Sequence, residues 1–272
     1  MLLGELLQGI AYERVSRFED REIAGITTDS KHVMKGDLFV CFSGGEHDGH
    51  EYAAEALAAG ASALAVEREL PLPAPQIVVK DGRKAAGEIA AAFYGHPEEK
   101  LKVIGVTGTN GKTTTCHMLA SILTAAGKEC GIIGTLGIRY ANREISPDLT
   151  TPDPPYLYKI FADMAEAGVE YVVTEVSAHA LYFGKVDGVR FEAGIFTNFT
   201  EDHLDFFKTM DAYAAAKEKL FEKGRCRFSV FNFDDAEGRK IAASCDNAYS
   251  YALENPADVF AVDIRENFDG CS

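Results

Sequence analysis

The 272-residue chain has six cysteines and no C-x-x-C pair. Neither a zinc site nor a disulfide framework is suggested, and reduced cytosolic thiols are the expectation. Positive charge is scarce: 27 Lys and Arg stand against 42 Asp and Glu, a formal net charge of −15. A nucleic-acid partner would need a basic face, so none is expected. A nucleotide is not excluded, because its phosphates are bound locally. No apolar run approaches the roughly 20 residues that span a bilayer. The start, Met1-Leu2-Leu3-Gly4-Glu5-Leu6-Leu7, is too short and too acidic for a leader. A cytoplasmic protein away from membranes is expected. Repeats, low-complexity tracts and any Ser-His-Asp or Cys-His arrangement are absent too.

What is present is a glycine-rich loop between an apolar run and a helical run. Val103-Ile104-Gly105-Val106 reads as a strand. Thr107-Gly108-Thr109-Asn110-Gly111-Lys112-Thr113-Thr114 follows, and Cys116 to Ala126 reads as a helix. Glycines let backbone N–H groups approach phosphates, the helix start adds positive potential, and a lysine reaches the terminal phosphates. The strict P-loop spacing fails, because Val106 stands five positions before Gly111. The alternative is an ordinary glycine turn, but Gly-Lys-Thr at a helix start is where an anion site belongs. Cys116 reads as a small residue packed on that helix.

The spacing of apolar residues predicts an α/β protein of two domains. Residues 1–98 form a small N-terminal α/β domain, with strands at 36–42, 63–66 and 76–79 and helices at 52–59 and 81–94. The polar stretch 95–100 is the expected linker. From 99 to 272, strands at 102–106, 130–133, 171–176, 193–197 and 227–231 alternate with helices at 113–126, 155–167, 211–223 and 235–244. Such alternation predicts a mainly parallel sheet with ligands beyond the carboxyl ends of its strands. The loops after 106, 176 and 197 are therefore the candidates.

Those loops carry chemistry. Glu175 ends one strand and is placed for magnesium, which prefers oxygen ligands; the alternative is a structural carboxylate. The cluster Asn198 to Asp205 includes His203, a candidate ligand or positioning group, though a lone histidine is as often structural. Tyr213, Lys217, Leu220 and Phe221 share one helical stripe, which places Lys217 on or beside a buried face. It either snorkels or is held near the site with a lowered amine pKa. Pro147 to Pro155, containing Thr150 and Thr151, is a proline-stiffened loop that recognises substrate or simply leads into a helix. Two polar loops in the first domain, 27–31 and 43–50, could flank a small polar ligand.

Together these segments resemble the Mur ligases, the ATP-dependent enzymes that extend the peptide of the bacterial cell-wall precursor. The matches are T-D-S-K, G-D-L-F-V, D-G-H-E-Y, T-G-T-N-G-K-T-T, L-T-T-P, E-V-S-A-H-A-L, F-T-N-F-T-E-D-H-L-D-F and A-A-A-K-E-K-L-F, in order along nearly the whole chain. They are most similar to the branch that adds the third peptide residue. The resemblance implies a UDP-binding first domain and a P-loop-type central ATPase domain. It implies that Ser30, Glu46 and His47 hold the UDP part, and that Thr150, Thr151, Ser177 and Lys185 hold the muramoyl dipeptide. ATP would lie on Gly108, Thr109, Asn110, Gly111, Lys112, Thr113 and Thr114. Thr113, Glu175 and His203 would organise Mg2+, joined by Lys217 once carbamylated. Lys112, Glu175, His203 and Lys217 would serve catalysis.

The implied reaction joins a diamino acid to UDP-N-acetylmuramoyl-L-alanyl-D-glutamate through an acyl phosphate. On family frequency the diamino acid is meso-diaminopimelate, with lysine as the alternative. The family's C-terminal domain, which binds the amino acid, has no counterpart here. The expectation is an incomplete central domain, a monomer, and a fragment that binds nucleotide or UDP-sugar without turnover. Three positions depart from the family pattern: Ala178 replaces a usual serine, Lys185 a common arginine, and Phe183 an often polar residue.

Overall fold

The computed structural model describes residues 1–44, 47–146, 149–264, 266–267 and 270–271. The chain folds as two compact units. One comprises Met1–Leu101, Pro152–Gly168 and Phe183–Gly188, the other Lys102–Thr151, Val169–Tyr182 and Val189–Ser272. Among the described residues, no helix is long and apolar enough to cross a membrane.

In chain order, the first unit begins with α1 (Leu3–Leu6), β1 (Arg14–Ser16), β2 (Gly25–Thr27), β3 (Asp37–Val40), α2 (Ala53–Ala59), β4 (Ala63–Val66), β5 (Gln76–Val78) and α3 (Gly82–Phe93). The sheet order is β1-β5-β4-β3-β2, and only the β1–β5 pair is antiparallel. Side chains alternate across it with the period of two that strands impose. Leu38, Val40, Ala63, Ala65 and Ile77 pack with Leu3, Leu6 and Ile89. Phe39, Cys41, Leu64, Val66 and Val78 pack with Ala53 and Ala56. Both faces are buried, which is why these strands read as continuous apolar runs. Helix α3 starts where the Asp81 side chain accepts from the Lys84 N–H at 3.0 Å, satisfying a donor that the helix itself leaves unpaired. The expected linker contains a tight 3-10 turn at Pro97–Lys100.

The chain continues with β6 (Lys102–Thr107), α4 (Lys112–Ala125), β7 (Cys130–Gly134), β8 (Gly137–Tyr140), β9 (Arg143–Ile145), α5 (Pro154–Glu166), β10 (Tyr171–Glu175), α6 (Ala178–Tyr182), β11 (Phe191–Phe196), α7 (Leu204–Phe207), α8 (Met210–Glu218), β12 (Cys226–Asn232), α9 (Ala236–Ala242), β13 (Ala248–Ala252) and β14 (Val259–Phe260). The second sheet has nine strands, β14-β13-β12-β11-β6-β10-β7-β8-β9. The seven from β14 to β7 are parallel. The other two form an antiparallel ribbon on β7. That ribbon was not expected: its turn runs through Ala141 at φ 48, with no glycine to announce it. At the far end of the chain, 266–267 pairs antiparallel with 270–271.

Helix α5 departs from the simple alternation. It belongs to the first unit and packs on α3. Its buried residues Leu157, Ile160, Phe161 and Met164 reveal a helical face, but a period says nothing about what covers that face. In the second unit β6 is central, flanked by β10 and β11. Chain connections depart to both sides of it, the arrangement that opens a crevice at the strands' carboxyl ends.

Candidate functional site

The loop after β6 occupies that crevice. Gly108 has φ 143, and a Cβ there would stand 1.9 Å from Thr197 Oγ1 and 3.0 Å from Asn198 N. Only glycine fits the close approach. Gly111, at φ 85, ends the loop and caps α4. The loop is clamped from β11. Asn198 Oδ1 accepts from the Asn110 N–H at 2.9 Å, and Asn198 Nδ2 donates to the Asn110 carbonyl at 3.0 Å. Thr197 Oγ1 donates to the same carbonyl at 2.6 Å. The Thr109 N–H donates to the Asn198 carbonyl at 2.9 Å, and its hydroxyl donates to the Thr200 carbonyl at 3.2 Å. Loop shape is thus set by tertiary hydrogen bonds as much as by its glycines.

Two lysines converge on it. Lys112 Nζ donates to the carbonyls of Gly108 and Thr109, at 2.9 and 2.8 Å. Lys217, only 1% exposed, donates to Gly108 O at 2.8 Å. Its ammonium lies 4.5 Å from the Tyr213 ring centroid, in range for a cation–π contact. Burial, then the Lys112 charge, lower the Lys217 amine to about 7, while Asp202 opposes the shift. Burial also lowers Lys112, against Glu175 and Asp202. The helical stripe located Lys217 correctly, but the side chain is wholly buried and does not snorkel.

Glu175, at the end of β10, is 2% exposed. Its Oε1 accepts from Thr113 Oγ1 and from the Thr135 N–H, each at 2.9 Å. Its Oε2 accepts from Thr135 Oγ1 at 3.3 Å. These donors fix the direction of the side chain, beside the first turn of α4. A side chain at Gly134 would collide with it, at 2.3 Å from Oε1. Thr135 was not foreseen, although it follows β7 and the strand-end rule applied to that loop as well. Thr135 Oγ1 also lies 3.1 Å from Thr150 Oγ1. Thr151 donates to the Glu175 carbonyl at 2.9 Å and accepts from the Ser177 N–H at 3.2 Å.

The remaining expected residues stand as follows. Asn110 is exposed on the loop and Thr114 is exposed in the first turn of α4. The His203 side chain is 46% exposed, with Nε2 3.5 Å from Asp202 Oδ2. Its ring packs edge-on to His179 and Tyr213, at centroid distances of 4.9 and 5.9 Å. Ser30, His47 and Lys185 belong to the first unit. Ser30 starts a 3-10 turn capped by Asp29. The His47 carbonyl accepts from the Gly44 N–H at 2.8 Å, while Glu46, Pro147 and Asp148 lie outside the described residues. Lys185 pairs with Asp153 at 2.8 Å. The Arg83 guanidinium sits 4.7 Å from the ring centroids of both Phe183 and Phe42. Cys116 is buried, and burial pushes its thiol far up, in keeping with a packing role.

Comparison with known proteins gives two family matches. Residues 106–272 match the Mur ligase middle domain, and 22–94 match the Mur ligase family catalytic domain. A UDP-N-acetylmuramoyl-L-alanyl-D-glutamate–2,6-diaminopimelate ligase of Clostridium perfringens is 38% identical across 99% of this chain and 57% of its own length. A ligase of the same name from Bacillus velezensis is 40% identical across 100% of this chain and 57% of its own. The chain therefore spans a little over half the length of these relatives. A solved structure, again of a UDP-N-acetylmuramoyl-L-alanyl-D-glutamate–2,6-diaminopimelate ligase, superposes with a TM-score of 0.78 at 29% identity. It covers 92% of this chain and 52% of the other. With a mainly parallel sheet, a glycine loop gripped from the neighbouring strand, and matches over most of its length, this chain belongs to the Mur ligase family.

Proposed function

We propose that the chain is the nucleotide-binding and UDP-muramoyl-binding portion of an ATP-dependent ligase of peptidoglycan precursor synthesis. The reaction adds a diamino acid to UDP-N-acetylmuramoyl-L-alanyl-D-glutamate. The names of the relatives favour 2,6-diaminopimelate over lysine. The observation that carries this reading is Glu175. A buried carboxylate is held by Thr113 and Thr135 beside a loop whose Gly108 admits no side chain.

The donor set suits Mg2+. Thr113 Oγ1 and the Glu175 carboxylate are hard oxygen ligands, and Mg2+ keeps further places for water and phosphate oxygens. When bound, the ion would neutralise charge on the transferred phosphate. Loop N–H groups and the start of α4 orient the ATP phosphates. Lys112 moves from its carbonyl partners to the terminal phosphates, where its charge opposes the charge that develops on transfer. The γ-carboxylate of the D-glutamyl residue attacks the γ-phosphorus, and ADP leaves. The amine of the diamino acid then attacks the resulting acyl phosphate, releases inorganic phosphate and forms the amide. No protein nucleophile is required. Thr150, Thr151 and Ser177 lie in the same unit as the loop and are assigned to the muramoyl dipeptide; Ser30, His47 and Lys185 extend that assignment to the first unit. His203 is assigned to the metal environment, and Lys217 serves as a carbamate formed by CO2 on its neutral amine. The protein acts in the cytoplasm as a monomer.

The test is calorimetric titration of this chain with Mg·ATP and with UDP-N-acetylmuramoyl-L-alanyl-D-glutamate. Micromolar-range binding of both is expected. Binding of nucleotide without any binding of the UDP-muramoyl dipeptide would overturn the assignment.

A further inference from the structure

His96-Pro97-Glu98-Glu99 follows α3 in the first unit and shares no residue with the phosphate loop. His96 takes left-handed φ 50 and ψ 56, and Pro97 opens the short turn that ends at Lys100. One ligand atom from each of His96, Glu98 and Glu99 lies within 4.8 Å of the other two. His96 Nδ1 is 3.1 Å from Glu98 Oε1. Two ligands on one tetrahedral ion, at bonds of about 2.0–2.2 Å, stand about 3.3–3.5 Å apart. The His96–Glu98 pair is already at about that separation, and Glu99 has to draw in from within 4.8 Å to complete the set.

A second observation comes from Glu98 itself. Its side chain is 9% exposed, and its Oε2 is buried without a hydrogen-bond partner. A carboxylate oxygen out of water and without a donor is costly and needs an account. Glu98 also lines a cavity of about 370 Å3 within the first unit, together with Tyr158, Lys84 and Lys185. Both lysines are engaged elsewhere: Lys185 with Asp153 at 2.8 Å and Lys84 with Glu88 at 3.4 Å. His96 answers Oε1 at 3.1 Å, and among the described residues no side chain answers Oε2.

We propose that His96, Glu98 and Glu99 form a binding site for one divalent transition-metal ion of the Zn2+ class. An imidazole nitrogen with two carboxylates, completed by water, matches Zn2+. Mg2+ and Ca2+ prefer sites built from oxygen alone and with more ligands. His96 and Glu99 are exposed, so the ion enters from solvent, while Glu98 binds it from the buried side.

The experiment titrates the metal-free 272-residue chain with ZnCl2 by calorimetry in a weakly chelating buffer. Crystals grown with Zn2+ are then measured at the zinc absorption edge. One site per chain is expected, weakened at least about tenfold in Glu98→Gln and in His96→Asn. An anomalous peak is expected between the three side chains. Zn2+ should raise the melting temperature of the wild type and not that of the variants. Should Glu98→Gln fail to fold, exposed Glu99→Gln is the substitute. Unchanged affinity in the variants, an anomalous peak only elsewhere, or tighter binding of Mg2+ or Ca2+ than of Zn2+ would each overturn the site.

Discussion

Lys112 and Lys217 donate to the same oxygen, the Gly108 carbonyl, at 2.9 and 2.8 Å. Two ammonium groups on one acceptor repel each other, and the one that is wholly buried yields its proton more readily. Burial is the larger cause of the low Lys217 pKa and the Lys112 charge the second; the neutral amine that results is what the proposed carbamylation requires.

The pH dependence of stability follows. Lys217 falls from 10.5 to about 7 in the folded state. Below pH 7 it is charged in both states, and its burial costs on the order of 5 kcal/mol. Between pH 7 and 10.5 the unfolded chain holds the proton that the folded chain releases, so stability rises with pH. Above 10.5 both forms are neutral and the cost is gone. Lys217→Met should flatten this rise, as measured by urea unfolding between pH 6.5 and 9.5. An unchanged slope would show that Lys217 is not the group responsible. With 13C-labelled bicarbonate at pH 8, a carbamate carbon resonance should appear in the wild type and be missing in Lys217→Met.

Thr135→Val removes the hydroxyl bonded to Glu175 and Thr150 while leaving the backbone donor in place. The loss should be about 1 kcal/mol of stability. Mg2+-dependent ATP affinity should fall several-fold as Glu175 loses its fixed direction. Glu175→Ala should cost about 1–3 kcal/mol and abolish the Mg2+ dependence. Calorimetry with and without Mg2+ distinguishes the two effects.

Gly108→Ala would place a methyl group 1.9 Å from Thr197 Oγ1 at a left-handed φ of 143. A loss of about 3 kcal/mol or more is expected, combining backbone strain with a clash. Nucleotide binding should vanish even where the variant folds. Retained ATP affinity would mean that the loop relaxes without consequence for the cradle.

Lys112→Ala removes the charge proposed to reach the terminal phosphates. In a protein spanning the full length of the relatives, ADP release dependent on the UDP-muramoyl dipeptide should fall by at least about a thousandfold. Affinity for the dipeptide should change little, because Lys112 bonds to the carbonyls of Gly108 and Thr109 and not to Thr150, Thr151 or Ser177. Undiminished ADP release would refute the assignment.

Much of the second unit could be read before folding. Strand β6, the loop and α4 are contiguous, and their apolar run, glycines and helical period are local signals. The short strands β1 and β2 escaped notice, since three residues are too few to establish a period. Helix α5 was found but not its partner: its apolar face is in the sequence, while packing on α3 depends on how the chain folds back. Asn198 lay in a segment marked as polar, yet its grip on both polar groups of the Asn110 backbone comes from 88 residues away and has no local signature.

The amino-acid sequence by itself determined the family, the place of the glycine-rich loop and the candidacy of Glu175 and Lys217. Each depends on neighbours within a few residues or on an ordered set of short motifs. Tertiary structure decided the pairing of Thr135 with Glu175 and of Lys217 with a carbonyl 109 residues away. It also decided that Lys217 is buried beside a second ammonium. Such contacts arise where separate strand ends meet at the crevice, and it is their desolvation that turns an ordinary lysine into one with a neutral amine near pH 7.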